Sequence, residues 1–389
     1  MFSKLPTAWL QLRYQKTRLI VALSGVIFAV IIVFMQLGIR DALFDSAVRL
    51  HQGLQGDCFL ISPRSTSLVA MESFPQRRLT QALAFDEVEF VNPIYLGFVQ
   101  WKNTATRDSW RNIFVIGFEL QEQIFDFPGV AENLNILKLP DMVLFDRSSR
   151  AEFGPIVAEF EQQRDITAEV SDRGPNRKIQ VGGLFELGAS FGSDGNLVTS
   201  HLNFLRIFSN RQQGFINIGL IKLKPGNNAD AFVKKLKDFL PKDVKVFSKA
   251  ELIAFEKNYW QSSTAIGFIF NLGVGLGIIV GIVVVYQILY SNVSEHLAQY
   301  ATLKAMGYRH NYLLSMVLQQ ALFIAFLGYI PGFILSIIQY EFAKKATLLP
   351  IEMSFSRAIF VMLATVIMCF ISGATAVGKL KSADPADIF

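Results

Sequence analysis

Four stretches of the chain carry no charged residue over a length that can cross a bilayer. They are Leu19 to Gly38, the interval between Lys257 and Glu295 centred on "AIGFIFNLGVGLGIIVGIVVVYQILY", the interval between His310 and Glu341, and Ala358 to Gly378. A hydrocarbon core of about 30 Å needs roughly 20 helical residues. Only helices bury that much backbone in lipid without closing a barrel. The sequence predicts an α-helical membrane protein with four transmembrane helices, one before and three after a large insertion. Composition agrees: 51% of the 389 residues are hydrophobic, 18% are charged, and the mean hydropathy of +0.35 exceeds that of an average soluble domain.

The first stretch is an anchor rather than a cleaved leader. It is longer than a signal-peptide core, "IRDALFD" follows it instead of a small-residue cleavage site, and Trp9 and Tyr14 precede it on a basic segment. Lys4, Arg13, Lys16 and Arg18 lie ahead of it with no acidic residue, which places the N-terminus in the cytoplasm by the positive-inside rule. Four crossings return the C-terminus to that side, where Lys379 and Lys381 follow the last span. The expected division is a cytoplasmic amphipathic segment 1–18, a first span 19–38, an external domain 39–260 and a second span 261–290. A cytoplasmic loop 291–312, a third span 313–340, a short external loop 341–357, a fourth span 358–378 and a cytoplasmic tail 379–389 complete it.

The external segment is long enough for a core of its own and has a mixed α+β pattern. "GDCFLISP", "VEFVNPIYLGFVQW", "NIFVIGF", "DMVLFD" and "KIQVGGLFELG" have strand composition. Near its end, "FINIGLIKLKPG" is a strand closed by Pro-Gly, "NNADAFVKKLKDFL" puts Phe232, Val233, Leu236, Phe239 and Leu240 on one helix face, and "DVKVFS" returns as a strand. Ser248 and Glu251 then form an S-x-x-E capping box that starts a helix. No proline follows until Pro331, so one unbroken helix from Lys249 to Tyr290 would be about 60 Å long. The alternative is a separate helix that breaks at Ser262-Ser263. Ala42, Leu43, Ala47 and Leu50 sit at helical spacing beyond the first span, so two spans are expected to extend outward as a paired stalk.

Several strings resemble catalytic motifs and fail on context. "GASFG" fits a nucleophile elbow with Ser190 as nucleophile, but "GSDGNL" follows at once, which is turn rather than helix, and His201 comes too soon. "GATAVGKL" nearly matches a phosphate loop, but Leu380 replaces the magnesium-ligating hydroxyl and the glycines sit on a membrane helix. No ATP site is expected in this chain. His51, His201, His296 and His310 show no metal-ligand spacing, and no metal is predicted. The spans contain no charged residue, which argues against an ion pathway, and no basic, aromatic-interleaved tract suits nucleic acid. Cys58 lies in the insertion and Cys369 in the fourth span, so no disulfide is expected. Gly273, Gly277 and Gly281, four residues apart, allow close helix approach and are candidates for a dimer face.

A polar island, "SEHLAQYATLKAMGYRHNYLL" at 294–314, separates the second span from the third. Together with the span after it, "EHLAQYATLKAMGYRHNYLLSMVLQQALFIAFLGYIPG" resembles the cytoplasmic loop and third span of FtsX/MacB-type permeases of ABC systems. The ending "KLKSADPADIF" is similar to that family's closing tail, and the arrangement of one span, a large outer domain and three spans matches it. "LKLPDMVLFDRSSRAEFGPI", "LGASFGSDGNLVTSHLNFLRIF", "FEKNYWQSSTAIGFIF" and "VYQILYSNVSEHLAQYATLKAMGY" resemble the cyanobacterial DevC branch, the membrane subunits of DevBCA-type exporters.

The resemblance implies a homodimeric permease in the inner membrane with its large domain in the periplasm. It further implies a separate DevA-like ABC ATPase that uses ATP and Mg, a DevB-like membrane-fusion adaptor and a TolC-like outer-membrane channel. Glycolipid is the substrate class of the founding branch. On that footing Glu295, His296, Tyr300, Lys304, Met306 and Gly307 are the candidate ATPase-coupling residues, with Gly307 as a left-handed helix stop and Lys304 facing an acidic groove of the ATPase. The rival reading is a membrane-anchored periplasmic hydrolase, which would need a reactive Ser190, or a sensor, which would need a cytoplasmic output domain.

Overall fold

The computed structural model describes residues 16–106, 109–172, 174–295, 306 and 310–378. Two compact units divide the chain: a helical unit of residues 1–41, 265–346 and 351–389, and an α/β unit of residues 42–264 and 347–350.

In chain order the elements begin with α1 (Lys16–Gly53), β1 (Cys58–Ile61), β2 (Phe74–Pro75), β3 (Val88–Lys102), β4 (Trp110–Phe118) and β5 (Met142–Asp146). There follow β6 (Ile166–Ser171), β7 (Arg177–Phe185), β8 (Asn196–Ser200), α2 (His201–Ile207), β9 (Phe215–Ile216), β10 (Ile218–Leu223) and α3 (Ala229–Phe239). The last are β11 (Lys245–Ser248), α4 (Lys249–Ser262), α5 (Ala265–Glu295), α6 (His310–Thr347) and α7 (Phe355–Gly378).

One nine-stranded sheet, in the order β11-β1-β10-β3-β4-β8-β5-β7-β6, organises the α/β unit. The β4–β8 and β5–β7 pairings are parallel and the others antiparallel. β3 is long enough to be shared: its first half pairs with β10, and Gln100 and Trp101 near its end pair with Ser171 and Val170 of β6. That second pairing closes β3-β4-β8-β5-β7-β6 into a ring, so six of the strands form a small barrel. Trp101, Ile113, Val115, Phe145 and Leu197 belong to the apolar core on one side of this sheet, and Trp101 Nε1 donates to the Phe153 carbonyl at 3.1 Å. The other side is covered by a second apolar cluster, to which Leu50 of α1 and Leu252 of α4 contribute.

α3 buries Phe232, Val233 and Leu236 as its periodicity predicts, and Leu240 just past its end is buried with them, but Phe239 is 53% exposed. It lies at the margin of the apolar face and packs edge-on to Phe85, with ring centroids 5.0 Å apart. The outer part of α1 and α4 lie antiparallel: Lys257 Nζ is 2.8 Å from Asp45 Oδ1, and Lys249 Nζ donates to the Leu54 carbonyl at 2.8 Å. The Ser248–Glu251 capping box is formed reciprocally, with Ser248 N–H donating to Glu251 Oε2 at 3.0 Å and Glu251 N–H to Ser248 Oγ at 3.4 Å.

The helix that begins at this cap does not run unbroken to Tyr290. α4 ends at Ser262, and α5 starts at Ala265. Three consecutive hydroxyl residues mark the interruption: Ser263 N–H still donates to the Tyr259 carbonyl at 2.9 Å, Ser262 Oγ donates to Asn258 Oδ1 at 2.9 Å, and Thr264 Oγ1 takes the Trp260 carbonyl at 2.6 Å as a side-chain acceptor. The first span behaves differently, since α1 continues from the span to Gly53 without a break. The expected 341–357 loop is also shorter than its sequence suggested. α6 continues through Pro331 to Thr347 and α7 begins at Phe355, because Glu341, Lys344 and Lys345 are good helix formers.

Candidate functional site

In the helical unit α1 is packed by α5 and α6. Val26, Val30, Val33, Phe34 and Leu37 of α1 are buried. α5 approaches through glycines: a Cβ at Gly277 would stand 3.1 Å from both Ile32 and Val33, one at Gly273 would stand 2.5 Å from Gln36, and one at Gly281 would overlap Met368 and press on Ala29. The Gly273, Gly277 and Gly281 stripe is therefore occupied within the chain, by the first and fourth spans. The same three glycines were the candidates for a dimer face, and within one chain they serve the approach of α5 to the first and fourth spans. α6 uses Gly328 and Gly332 in the same way, against Val26 and Val30.

At one end of these spans a polar clasp joins all four helices. Asp41, just past the first span, accepts from Arg357 Nη2 at 2.8 Å and Nε at 3.2 Å through Oδ2. Its other oxygen accepts from Arg40 Nη2 at 2.8 Å and Nε at 3.0 Å. Arg40 Nη1 in turn donates to Asn271 Oδ1 of α5 at 3.0 Å. Arg357 Nη1 donates to the Glu352 carbonyl at 2.7 Å and lies 3.5 Å from Tyr340 Oη, and the Tyr340 hydroxyl donates to the Phe34 carbonyl at 2.5 Å. The Arg357 side chain is 9% exposed and directs its donors at fixed acceptors, two of them at the single oxygen Asp41 Oδ2, so it acts as a staple rather than a loose surface charge. Sequence reasoning missed this site. Along the chain Arg40 and Asp41 are only charges beyond the end of the first span, and Arg357 is only the charge that bounds the fourth.

Of the candidate coupling residues, Glu295 is the last residue of α5 and Met306 is 63% exposed in a turn. His296, Tyr300, Lys304 and Gly307 lie outside the described residues. In the phosphate-loop-like string a Cβ at Gly373 of α7 would stand 3.4 Å from Ala321 and 3.5 Å from Leu318, so this glycine lets α7 approach α6, and Lys379 and Leu380 lie outside the described residues.

The α/β unit holds the remaining chemical candidates. Ser190 sits in a tight turn just after Gly188, whose φ of +94° needs a residue without Cβ. Ser190 Oγ accepts from the N–H groups of Gly192 at 3.2 Å and Ser193 at 3.1 Å, and β8, not a helix, comes next. This hydroxyl organises a turn. Asp146 is buried and accepts from Gly188 N–H at 2.8 Å and Asn196 Nδ2 at 2.8 Å, while burial pushes its carboxyl above the usual range. Glu256 of α4 is 1% exposed. Its carboxyl accepts from Leu68 N–H at 2.7 Å and Trp260 Nε1 at 2.8 Å, and burial raises it to about 7 against those two bonds. Burial likewise holds His51 neutral, down to about 4, and pushes the Cys58 thiol up to about 12. Cys58 and Cys369 are both free thiols.

These features define a membrane protein of four apolar helices, one near the N-terminus and three at the C-terminal end, with a large α/β domain between them. Residues 271–385 match the family described as FtsX-like permease C-terminal. No curated protein sequence matches the chain. Among solved structures it is similar to the periplasmic region of MacB from Actinobacillus actinomycetemcomitans, with 13% identity and a TM-score of 0.37 over 53% of this chain and 94% of that one. It is also similar to the extracellular domain of the noncanonic ABC-type transporter YknZ from Gram-positive bacteria, with 10% identity and a TM-score of 0.34 over 50% of this chain and all of the other.

Proposed function

We propose that the chain is the permease subunit of an FtsX/MacB-type ABC exporter, of the DevC kind, which transmits the motion of a separate ATPase to its α/β domain. The observation that carries this reading is the FtsX-like match over 271–385, which takes in most of the second span, the polar island and the last two spans. Spans without charged residues that close on one another through glycines and a polar clasp suit helices that move as bodies rather than helices that line an aqueous path. The α/β domain stands in the periplasm, the 291–312 loop faces the cytoplasm, and two copies work together in the inner membrane. A membrane-fusion adaptor and a TolC-like channel carry the cargo onward, and that cargo is a glycolipid or another amphiphile.

Two measurements test it. The full chain should copurify with a cognate ABC ATPase and raise its hydrolysis rate. Gly307→Val should leave membrane insertion and ATPase binding intact while cutting export by at least about tenfold, since a β-branched residue is strained in the left-handed stop assigned to Gly307. Export at the unaltered rate would overturn the coupling assignment, and failure of any ATPase to associate would overturn the permease reading.

A further inference from the structure

Most large apolar side chains of the α/β unit are buried, and two of the exposed ones stand on adjoining elements. Leu139 is 51% exposed and Leu202 is 61% exposed. Leu202 lies in the first turn of α2, and Asn203 beside it donates from Nδ2 to the Leu139 carbonyl at 2.9 Å. Pro140, also exposed, continues the segment that leads into β5. An isolated exposed leucine needs no explanation, whereas a pair on a fixed support is a candidate contact.

The support is fixed from three directions. Asn203 is buried, and it shares Nδ2 among the carbonyls of Leu137 at 3.3 Å, Leu139 and Met142 at 3.2 Å, while its Oδ1 accepts from Asp141 N–H at 3.0 Å. From β7, Gln180 N–H donates to the Asp141 carbonyl at 2.9 Å, and Arg177 Nε donates to Asp141 Oδ1 at 2.8 Å. Arg177 Nη1 reaches on to the Arg206 carbonyl at 3.3 Å, which ties this segment to the end of α2. Asp141 has a φ of +62°, a left-handed conformation that a residue with a Cβ keeps only where its surroundings hold it. Leucines on such a support lose little freedom when they are covered, which is what a preorganised binding surface requires.

The charge beside them has one sign. Asp141 is engaged by Arg177, whereas Lys138 and Arg206 are exposed and pair with no carboxylate among the described residues. Lys138 Nζ meets the neutral Asn135 Oδ1 at 2.8 Å. Arg206 follows Leu202 by four residues and so shares its face of α2.

We propose that Leu139, Pro140 and Leu202, with the cations of Lys138 and Arg206, form a docking surface for a protein partner whose contact segment combines apolar side chains with carboxylates. A second copy of this chain is the wrong occupant, because the patch set against itself opposes cation to cation. A lipid surface is also the wrong occupant, because interfacial anchoring favours Trp and Tyr and the patch has neither. The inference concerns the α/β unit alone and stands apart from the permease reading.

The test places a benzophenone amino acid at position 202 of the full chain, irradiates the cells that naturally contain it, and maps the products by mass spectrometry. Position 83, where Leu83 is 52% exposed on the segment before β3, is the control. Position 202 should cross-link to another polypeptide through a segment that carries Asp or Glu beside apolar residues, and position 83 should not. Combining Lys138→Glu with Arg206→Glu should lower that product at least about fivefold without altering the circular dichroism. Arg206→Gln alone should lower it in the same direction if the double variant does not fold. Replacing one carboxylate of the mapped segment by Lys should restore the product in the charge-reversed chain. The proposal is overturned if position 202 gives no product, or cross-links only to lipid or to a second copy. It is equally overturned if the mapped segment lacks carboxylates or the product survives charge reversal undiminished.

Discussion

Asp41 and Arg357 are 316 positions apart in sequence and meet at 2.8 Å at one end of the four spans. Arg357 is nearly buried and Asp41 about one-third exposed, so the pair keeps partial access to water and still loses much on rupture. Arg357→Ala leaves the Asp41 carboxylate, the Glu352 carbonyl and the Tyr340 hydroxyl short of a donor and should lower stability by about 2–4 kcal/mol. Arg357→Lys should recover only part, because one ammonium cannot serve Asp41 Oδ2 twice and Glu352 at once. Unfolding in detergent of Arg357→Ala, Asp41→Asn and the double variant checks this. The coupling between the two sites should be clearly nonzero.

The glycines of the spans are not equivalent, and two alanine substitutions separate them. At Gly332 a Cβ would stand 2.8 Å from Val30 Cγ1 and 3.0 Å from its Cβ, so α6 must move off α1. Gly332→Ala should cost about 1–3 kcal/mol. Nothing lies within 4 Å of a Cβ at Gly275. Gly275→Ala should therefore be neutral or stabilise by about 0.5–1 kcal/mol through helix propensity. Melting temperatures of the two variants in the same detergent should move in different directions or by clearly different amounts.

Glu256 gives the α/β unit a pH dependence of definite sign. Its carboxyl titrates at the ordinary 4.5 when unfolded and at about 7 when folded, because burial disfavours the charge. Between those values the folded state holds the extra proton, so this contribution is fully present below about 4.5 and is lost as pH rises to about 7. Glu256→Gln should abolish that slope. It should also lose one hydrogen bond, since its amide NH₂ must face either Leu68 N–H or Trp260 Nε1. The difference between the stability profiles of the two proteins from pH 4 to 8, measured by denaturant unfolding, isolates this single group.

How much of this was legible depends on the range of the interaction. The spans could be read because a missing charge is a local property, and the Ser248–Glu251 cap because its partners are three residues apart. The barrel closure could not be, since opposing Gln100 to Ser171 and Trp101 to Val170 depends on where two distant strands end. The helix break at Ser262-Ser263 was readable as an option, and what decided it was side-chain competition for backbone acceptors, which propensity does not weigh. The clasp shows the limit most plainly. Arg40, Asp41 and Arg357 were all visible as charges flanking spans, yet nothing in periodicity says which helix ends meet. The glycine stripe shows the same limit, for spacing shows that a backbone will approach another and not whose backbone it is.

Ser190 separates transport from hydrolysis most directly. Its Oγ accepts from Gly192 and Ser193 N–H groups within a turn that closes with Ser190 N–H donating to the Ser193 carbonyl at 2.8 Å. Removing the hydroxyl strips Gly192 N–H of its acceptor and Ser193 N–H of one of two, since Ser193 N–H also donates to the Ser190 carbonyl at 3.4 Å, and the turn's backbone bonds stay in place. Ser190→Ala should thus cost about 1 kcal/mol and leave export and ATPase stimulation close to the unaltered protein. Ser190→Asn, whose side-chain oxygen can accept from the same two amides in an Asx-type turn, should restore part of the stability. A nucleophile would behave otherwise: activity would vanish in both variants however well they fold, and the permease reading would then yield to an enzymatic one.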